Sequence, residues 1–212
     1  MEPSDSPVIA GLAVLSTLLF LLNMRSFLKI LPALGDCLNR WKGNVELEDS
    51  LQLARSRNLV TAILFIPFCL LIHRYSLYDP RFLGQVPPLW RFPVVAAVFL
   101  AYLLLRGYLN WQLELHDHGR QVFTAANRSF FNYAILLLLL LLVVGTATDL
   151  FMEDRSLARH ILLGVSGLWY LFFLYRRGQI FASVCNPFTT FLYLCGLEIL
   201  PTGALAASAV ML

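Results

Sequence analysis

Charged residues are scarce in this chain of 212 residues. Asp, Glu, Lys and Arg make up 14% of the chain, whereas soluble domains carry about 25%. Hydrophobic residues make up 58%, and the mean hydropathy is +0.70. A soluble fold of this size could not bury so much apolar surface, so the composition favours an integral membrane protein.

Sequence motifs of common enzymes and metal sites are also missing. The four cysteines form no Cys-x-x-Cys pair, and no zinc, P-loop, dinucleotide or nucleophile-elbow motif occurs. No basic stripe with interleaved aromatic residues indicates nucleic-acid binding. We therefore expect no metal, no cofactor, no nucleic-acid partner and no catalytic residue.

Lys and Arg are absent ahead of the first apolar run, where Glu2 and Asp5 stand instead. A secretory signal peptide carries a positively charged segment at that place. The first run is therefore predicted to be retained as a helix.

Six apolar runs follow one another along the chain. A transmembrane helix needs about 20 residues, with a range of about 17 to 25. The second, third and fifth runs reach that length only if flanking polar residues lie in the interface, where arginines snorkel. The second run contains Pro67, so a re-entrant loop is the alternative to a full span there. The predicted spans are about 7–25, 57–74, 90–109, 130–149, 159–177 and 187–210.

One amphipathic segment lies between the first two spans. Residues 26–34 carry apolar side chains on one side and basic ones on the other, which is typical of a helix in the headgroup region. Phe27, Leu28 and Leu31 or Leu34 are expected in the acyl boundary. The predicted fold is all-α, a single domain over residues 1–212 with about six transmembrane helices and one interfacial amphipathic helix.

Basic residues are distributed unequally between the two sides of this bundle. The first, third and fifth loops hold 11 Lys and Arg, and the opposite side holds five. Cytosolic loops of membrane proteins carry the excess of Lys and Arg. The distribution predicts cytosolic odd-numbered loops and both termini outside.

Glu198 lies near the middle of the last apolar run. A carboxylate at that depth costs at least about 2.5 kcal/mol on insertion scales, and its side chain is too short to snorkel. We expect it to face the bundle interior and to meet an arginine, a tyrosine hydroxyl or water. Pro201 lacks the amide that would bond the carbonyl of Leu197. Such local polarity is found at transporter ion sites, and a structural lock between helices is the alternative.

Polar residues at three predicted cytosolic helix ends form a second candidate site. Arginine forks match phosphate, so together these residues could ring a cytosolic mouth and hold an anionic headgroup. Plain positive-inside anchoring is the alternative interpretation. The residues are Arg55, Arg57, Asn58, Arg120, Arg176 and Arg177.

Glu114, His116 and His118 stand in the third loop. Glu114 and His118 are four residues apart and could share a helical face, whereas His116 could not join them. The spacing matches no metal motif, so a solvated interfacial helix is the expected structure.

The segments Tyr-Arg-Arg-Gly-Gln-Ile-Phe from Tyr175 and Tyr-Leu-Cys-Gly-Leu-Glu-Ile-Leu-Pro from Tyr193 carry a resemblance. They resemble the C-terminal signature of an uncharacterised family of Bacteroidetes membrane proteins, a domain of unknown function. Arg-Ser-Arg-Asn from Arg55 also resembles a family feature, and the likeness covers about residues 49–201. The chain lacks the basic residue expected after the last span. The resemblance implies an inner-membrane location in a two-membrane bacterium and transfers no activity. In such a membrane the outside termini predicted from the loop charges lie in the periplasm.

Three functions remain open at this stage. The first is a transporter or flippase-like protein for an anionic solute or lipid, with Glu198 as its coupling or gating carboxylate. The second is a non-catalytic scaffold subunit of an envelope-assembly complex, with envelope proteins as partners. An intramembrane enzyme on a lipid-linked substrate is the third, and no nucleophile, base and orienting group can be assembled for it.

Overall fold

The computed structural model describes residues 7–114, 120–151, 154–183 and 185–211, and every regular element in these ranges is helical. The all-α fold class is therefore confirmed. A 3-10 turn, Arg81–Gln85, precedes the fifth helix, and a π-turn, Cys195–Ile199, joins the last two. The helices are α1 (Pro7–Leu22), α2 (Met24–Asn39), α3 (Lys42–Asp49), α4 (Leu51–Arg74), α5 (Pro88–Glu114), α6 (Arg120–Phe151), α7 (Arg155–Ala182), α8 (Pro187–Leu194) and α9 (Leu200–Met211).

Five segments in the described ranges are long and apolar enough to cross a membrane. α4 runs unbroken through Pro67 over 24 residues. At 1.5 Å per residue it rises about 36 Å, which exceeds the ~30 Å of a hydrocarbon core. The chain is thus a multi-pass membrane protein. The five segments are Leu51–Arg74, Trp90–Gln112, Thr124–Phe151, Arg155–Ala182 and Pro187–Ala209.

A sixth span exists only if α1 and α2 are taken together. α1 has 16 residues and rises about 24 Å, and α2 bends away from it by 73°. Asn23 separates the two helices, and its side-chain amide donates to the carbonyl of Leu19 at 3.0 Å. The helix predicted to reach about residue 25 therefore ends at Leu22 in this structure.

α2 contains the predicted amphipathic segment and packs on α4. Phe27, Ile30 and Leu34 are buried in the largest hydrophobic cluster, whereas Leu28 and Leu31 are exposed. This packing corrects the expectation that Phe27 lies in the acyl boundary. Of the alternatives Leu31 and Leu34, it buries Leu34 inside the protein and leaves Leu31 exposed. The apolar face of α2 is therefore wide: one part packs against the bundle, and another part, which includes Leu28 and Leu31, is exposed on the surface of the protein.

Two buried clusters hold the bundle together around α6. The larger one joins α2, α4, α6 and α7 through aliphatic side chains such as Leu64, Leu138 and Leu162. The smaller one joins α6 and α7 to the π-turn through Ala126, Ile180, Phe181 and Leu197. Leu197 precedes Glu198, so this smaller cluster anchors the segment that carries the Glu198 carboxylate.

Candidate functional site

Three charged side chains meet inside the bundle, namely Arg106 of α5, Arg177 of α7 and Glu198 of the π-turn. We call them the triad. Arg106 donates to both carboxylate oxygens of Glu198, from Nη2 to Oε1 at 2.5 Å and from Nε to Oε2 at 3.3 Å. Arg177 forms an ion pair with the same Oε1. The prediction that Glu198 faces the interior and meets a polar partner is confirmed, and of the partners that we expected the structure shows arginine.

The backbone around Glu198 departs from the regular α-helix. The amide of Leu200 donates to the carbonyl of Cys195, five residues earlier, which is the spacing of a π-turn. Pro201 follows at once and has no amide to donate to Leu197. Together the wider turn and the missing hydrogen bond loosen the helix at the residue that carries the charge. π-turns of this kind occur frequently at functional sites.

Polar and aromatic groups surround the triad. Asn110 accepts from Nη2 of Arg177 at 3.3 Å and donates to the backbone carbonyl of Arg106 at 2.7 Å, so it links the two arginines. The guanidinium carbon of Arg106 lies 3.7 Å from the ring centre of Phe130, within the range of a cation–π contact. Arg177 lies 5.9 Å from the ring centre of Phe173. Both guanidinium groups are therefore held by packing as well as by Glu198.

The triad carries more positive than negative charge. Two guanidinium groups share one carboxylate, and the side chains of Arg106, Arg177 and Glu198 are only 3%, 0% and 0% exposed. Nε of Arg177 is also buried without a hydrogen-bond partner in the described part of the chain. A buried polar donor without a partner costs about 1–3 kcal/mol. The site thus has donors and positive charge in excess, which are the properties of an anion site.

An apolar cavity of about 160 Å³ lies beside the triad. Tyr102, Phe130, Tyr170 and Phe173 line it together with aliphatic residues of α4 and α6. Since Phe130 and Phe173 also contact the guanidinium groups, one aromatic layer separates the cavity from the charges. A cavity of ~150 Å³ lined by apolar groups stays dry and accepts a benzene-sized ligand. This one has room for a ring or a short piece of alkyl chain.

A second charged cluster lies where α3 meets α4 and α6. Glu48 pairs with Arg57 at 2.8 Å and also pairs with Arg128. The Arg57 side chain is 1% exposed, and Asn58 accepts from it at 3.2 and 3.0 Å. Beside this cluster the side-chain amide of Asn44 donates to the hydroxyl of Tyr133 at 3.4 Å, and its oxygen accepts from the amide of Asn132 at 3.0 Å. These contacts dock α3 onto the bundle.

The structure separates the residues that we expected to ring a cytosolic mouth. Arg57 and Arg177 are fully buried in the two different clusters, so neither faces an open mouth. Arg55 and Asn58 are exposed, and the Arg120 side chain lies outside the described residues. Arg176 donates to the carbonyls of Leu38 and Asn39 at the end of α2. His116 and His118 of the third loop also lie outside the described residues, as does the side chain of Glu114.

Sequence reasoning missed the role of Arg106, which we counted among loop residues. The strict apolar run ends at Leu105, yet α5 continues for two more turns to Glu114. Two features of the sequence could have indicated this role. Glu198 needs a cation as its partner inside the membrane, and Asn110, one helical turn after Arg106, is a second polar residue on the same side of the helix. Glu48 gave no such signal, because its pairing depends on how α3 docks.

Comparisons with known proteins add no relative to this description, since no family model, curated protein or solved structure matches the chain.

Proposed function

We propose that this protein binds an anionic membrane amphiphile and moves it between the leaflets, as a transporter or flippase-like protein does. The observation that carries the proposal is the triad, in which two buried guanidinium groups share one carboxylate beside an apolar cavity. Arginine forks bind carboxylate and phosphate through paired hydrogen bonds. The apolar part of the same ligand fits the neighbouring cavity.

A lipid-like ligand accounts for the surroundings better than a soluble anion. The walls of the cavity are mostly aromatic and aliphatic, and Tyr102 and Tyr170 are among the polar-tipped side chains that line it. A soluble anion would need a polar path through the bundle. An amphiphile already in the bilayer needs only an opening between helices.

Glu198 acts in this proposal as a counter-ion that the ligand displaces. While the site is empty of ligand, Glu198 neutralises Arg106 and part of the charge of Arg177. An incoming anionic group competes for the same guanidinium donors, and return of Glu198 releases it. The π-turn supplies the local freedom, because the segment before Pro201 lacks one helical hydrogen bond.

A scaffold subunit is the second candidate, and the complete burial of the triad favours it. A sealed ion-pair network joins α5, α7 and the π-turn and so resembles a structural lock. In that case the triad would stabilise the bundle and bind no ligand. Partners from an envelope-assembly complex would then dock elsewhere on the protein.

Reconstituted vesicles distinguish these functions. We expect the wild-type protein to speed the leaflet exchange of fluorescent phosphatidylglycerol more than that of phosphatidylcholine with the same chains. The triple variant R106M/R177M/E198M should lose this activity while remaining folded, since apolar replacement of a buried ion-pair network is often neutral for stability. Arg81→Gln removes an exposed arginine far from the triad in sequence and is the matched control.

Exchange no faster than in protein-free vesicles would refute transport. So would a triple variant as active as the wild type. Phosphatidylglycerol should also raise the melting temperature of Glu198→Gln, because the lipid replaces the lost anion. A pure structural lock gives no such rescue.

We also infer an inner-membrane location with both termini in the periplasm. Arg57, Arg106 and Arg177 are buried and paired, so the basic asymmetry falls from 11 against five to eight against five. Its direction is unchanged, which supports the orientation. A cysteine at position 211 should react with an impermeant reagent in intact cells, and one at position 46, which is exposed on α3, should not. The reverse pattern would invert the topology.

A further inference from the structure

Three hydroxyl groups lie close together on the helical elements that carry the triad. Tyr102 stands four residues before Arg106, and Thr202 stands four residues after Glu198, so each is about one helical turn from its charged neighbour. The hydroxyl oxygens of Tyr102 and Thr202 are 3.0 Å apart. Tyr170 of α7 brings a third hydroxyl, which is buried toward Thr202. We call Tyr102, Tyr170 and Thr202 the hydroxyl cluster.

The hydroxyl of Tyr170 differs from the other two. Tyr102 and Thr202 are hydrogen-bonded to each other. The Tyr170 oxygen is buried as well, yet it forms no hydrogen bond of normal geometry with any group in the described part of the chain. A phenolic hydroxyl both donates and accepts. A buried hydroxyl without a partner is unfavourable, so the cluster can still take up a polar group of a ligand.

The hydroxyl cluster and the apolar cavity share the tyrosine rings of Tyr102 and Tyr170. These rings line the cavity, and the residues of the described chain that line it belong to α4, α5, α6 and α7. Thr202 belongs to α9 instead, so the Tyr102 hydroxyl that bonds to it points away from the cavity. Both tyrosines also lie within electrostatic range of Glu198. Next to the triad the bundle therefore offers an apolar wall and, beyond the same rings, a hydroxylated one.

We propose that the hydroxyl cluster binds the hydroxyl-bearing headgroup of a phosphodiester lipid whose phosphate is held by the triad. A phosphodiester lipid carries two arms on one phosphate, an acyl-chain arm and a headgroup arm. The first fits the cavity and the second fits the hydroxyl cluster, while the phosphate replaces Glu198 on the two guanidinium groups. The inference rests on the proposed function and names its substrate class, an anionic lipid with a polyol headgroup.

The unpaired hydroxyl of Tyr170 distinguishes between headgroups. A headgroup hydroxyl can accept from it or donate to it. A choline group has no polar hydrogen and no free lone pair, so it would leave Tyr170 without a partner. A site built to bond a hydroxyl of its ligand discriminates against an analogue that lacks the hydroxyl. The number of headgroup hydroxyls, at constant charge, is therefore the property to vary.

The test compares two lipids that differ only in their headgroup hydroxyls. Phosphatidylglycerol and phosphatidylpropanol of the same acyl chains carry the same charge and the same number of headgroup carbons, but phosphatidylpropanol has no headgroup hydroxyl. Native mass spectrometry of the full chain in neutral detergent measures the retention of each lipid. We expect the wild type to bind phosphatidylglycerol about fivefold more tightly, as one or two buried hydrogen bonds would give.

Two nearly isosteric variants locate this preference. Tyr170→Phe and Thr202→Val each remove one hydroxyl of the cluster and should reduce the preference to about twofold or less. Both should retain phosphatidylpropanol as the wild type does, because the triad and the cavity are unchanged. Ser208→Ala is the matched control, since it removes a hydroxyl of the same helix that pairs with Tyr78 at 2.9 Å, outside the cluster. It should keep the full preference.

The outcomes separate this inference from the proposed function. Equal retention of both lipids by the wild type would overturn the inference, and so would a preference that survives in both Tyr170→Phe and Thr202→Val. Loss of the preference in Ser208→Ala would also overturn it, because the effect would not belong to the cluster. These results leave anion binding at the triad intact, since both lipids carry the same phosphodiester. Retention of neither lipid would refute the proposed function and this inference with it.

Discussion

The triad and the Arg74–Asp149 pair use the same chemical groups in opposite surroundings. In the triad, Glu198 is 0% exposed and contacts two arginines. At the other end of the bundle, Arg74 and Asp149 are 65% and 40% exposed. Water can replace a lost partner at the second site and has no access to the first. The same substitution should therefore have a large effect at one site and a small effect at the other.

The largest effect is expected for Glu198→Gln. The change leaves Arg106 and Arg177 buried without their anion, which is expected to lower the free energy of unfolding by about 3–5 kcal/mol. Chemical denaturation in detergent, followed by helical circular dichroism, measures the change. Glu46→Gln is the matched control, because Glu46 is exposed on α3. If Glu198→Gln lowered the free energy of unfolding no more than Glu46→Gln does, the burial of the triad would have no energetic consequence.

A full apolar replacement sharpens that result. The variant R106M/R177M/E198M removes every charge of the triad at once, so no uncompensated ion remains. We expect it to be more stable than Glu198→Gln, because the penalty comes from an unpaired buried charge and not from a missing attraction. Comparable instability of both variants would point instead to steric damage around the π-turn.

An intermediate effect is expected for Glu48→Gln. Arg57 loses its ionised partner although its side chain is only 1% exposed, but Asn58 still accepts two hydrogen bonds from it. Arg128, the other partner of Glu48, is 44% exposed and can turn to water. The loss should be about 1–3 kcal/mol, measured by the same denaturation. A loss as large as that for Glu198→Gln would contradict the ranking by burial.

Hydropathy predicted an all-α membrane protein because each long apolar helix is a continuous run of residues in the sequence. The depth argument also predicted the inward orientation of Glu198, since a short carboxylate in the middle of a span has no route to water. Both inferences need only the neighbouring sequence. They required no knowledge of which helices touch.

Partner choice was harder to predict because it depends on helix packing. Arg106 and Arg177 stand just beyond strict apolar runs, and we placed both at the cytosolic ends of their predicted spans, yet α5 and α7 continue past them. The pairing of Glu48 with Arg57 requires the turn at Ser50 to fold α3 back against α4. The break between the first helix and the amphipathic segment was predicted near residue 25, and the structure has it at Asn23.

The smallest effect is expected for Asp149→Asn. The variant removes the exposed ion pair with Arg74, which is worth about 0–1 kcal/mol. Any difference from wild type should shrink further between 0.01 and 1 M salt (about 30 to 3 Å of Debye length), whereas the loss for Glu198→Gln should persist. Denaturation at both salt concentrations makes the comparison. A loss for Asp149→Asn that persists at 1 M salt would contradict the ranking by exposure.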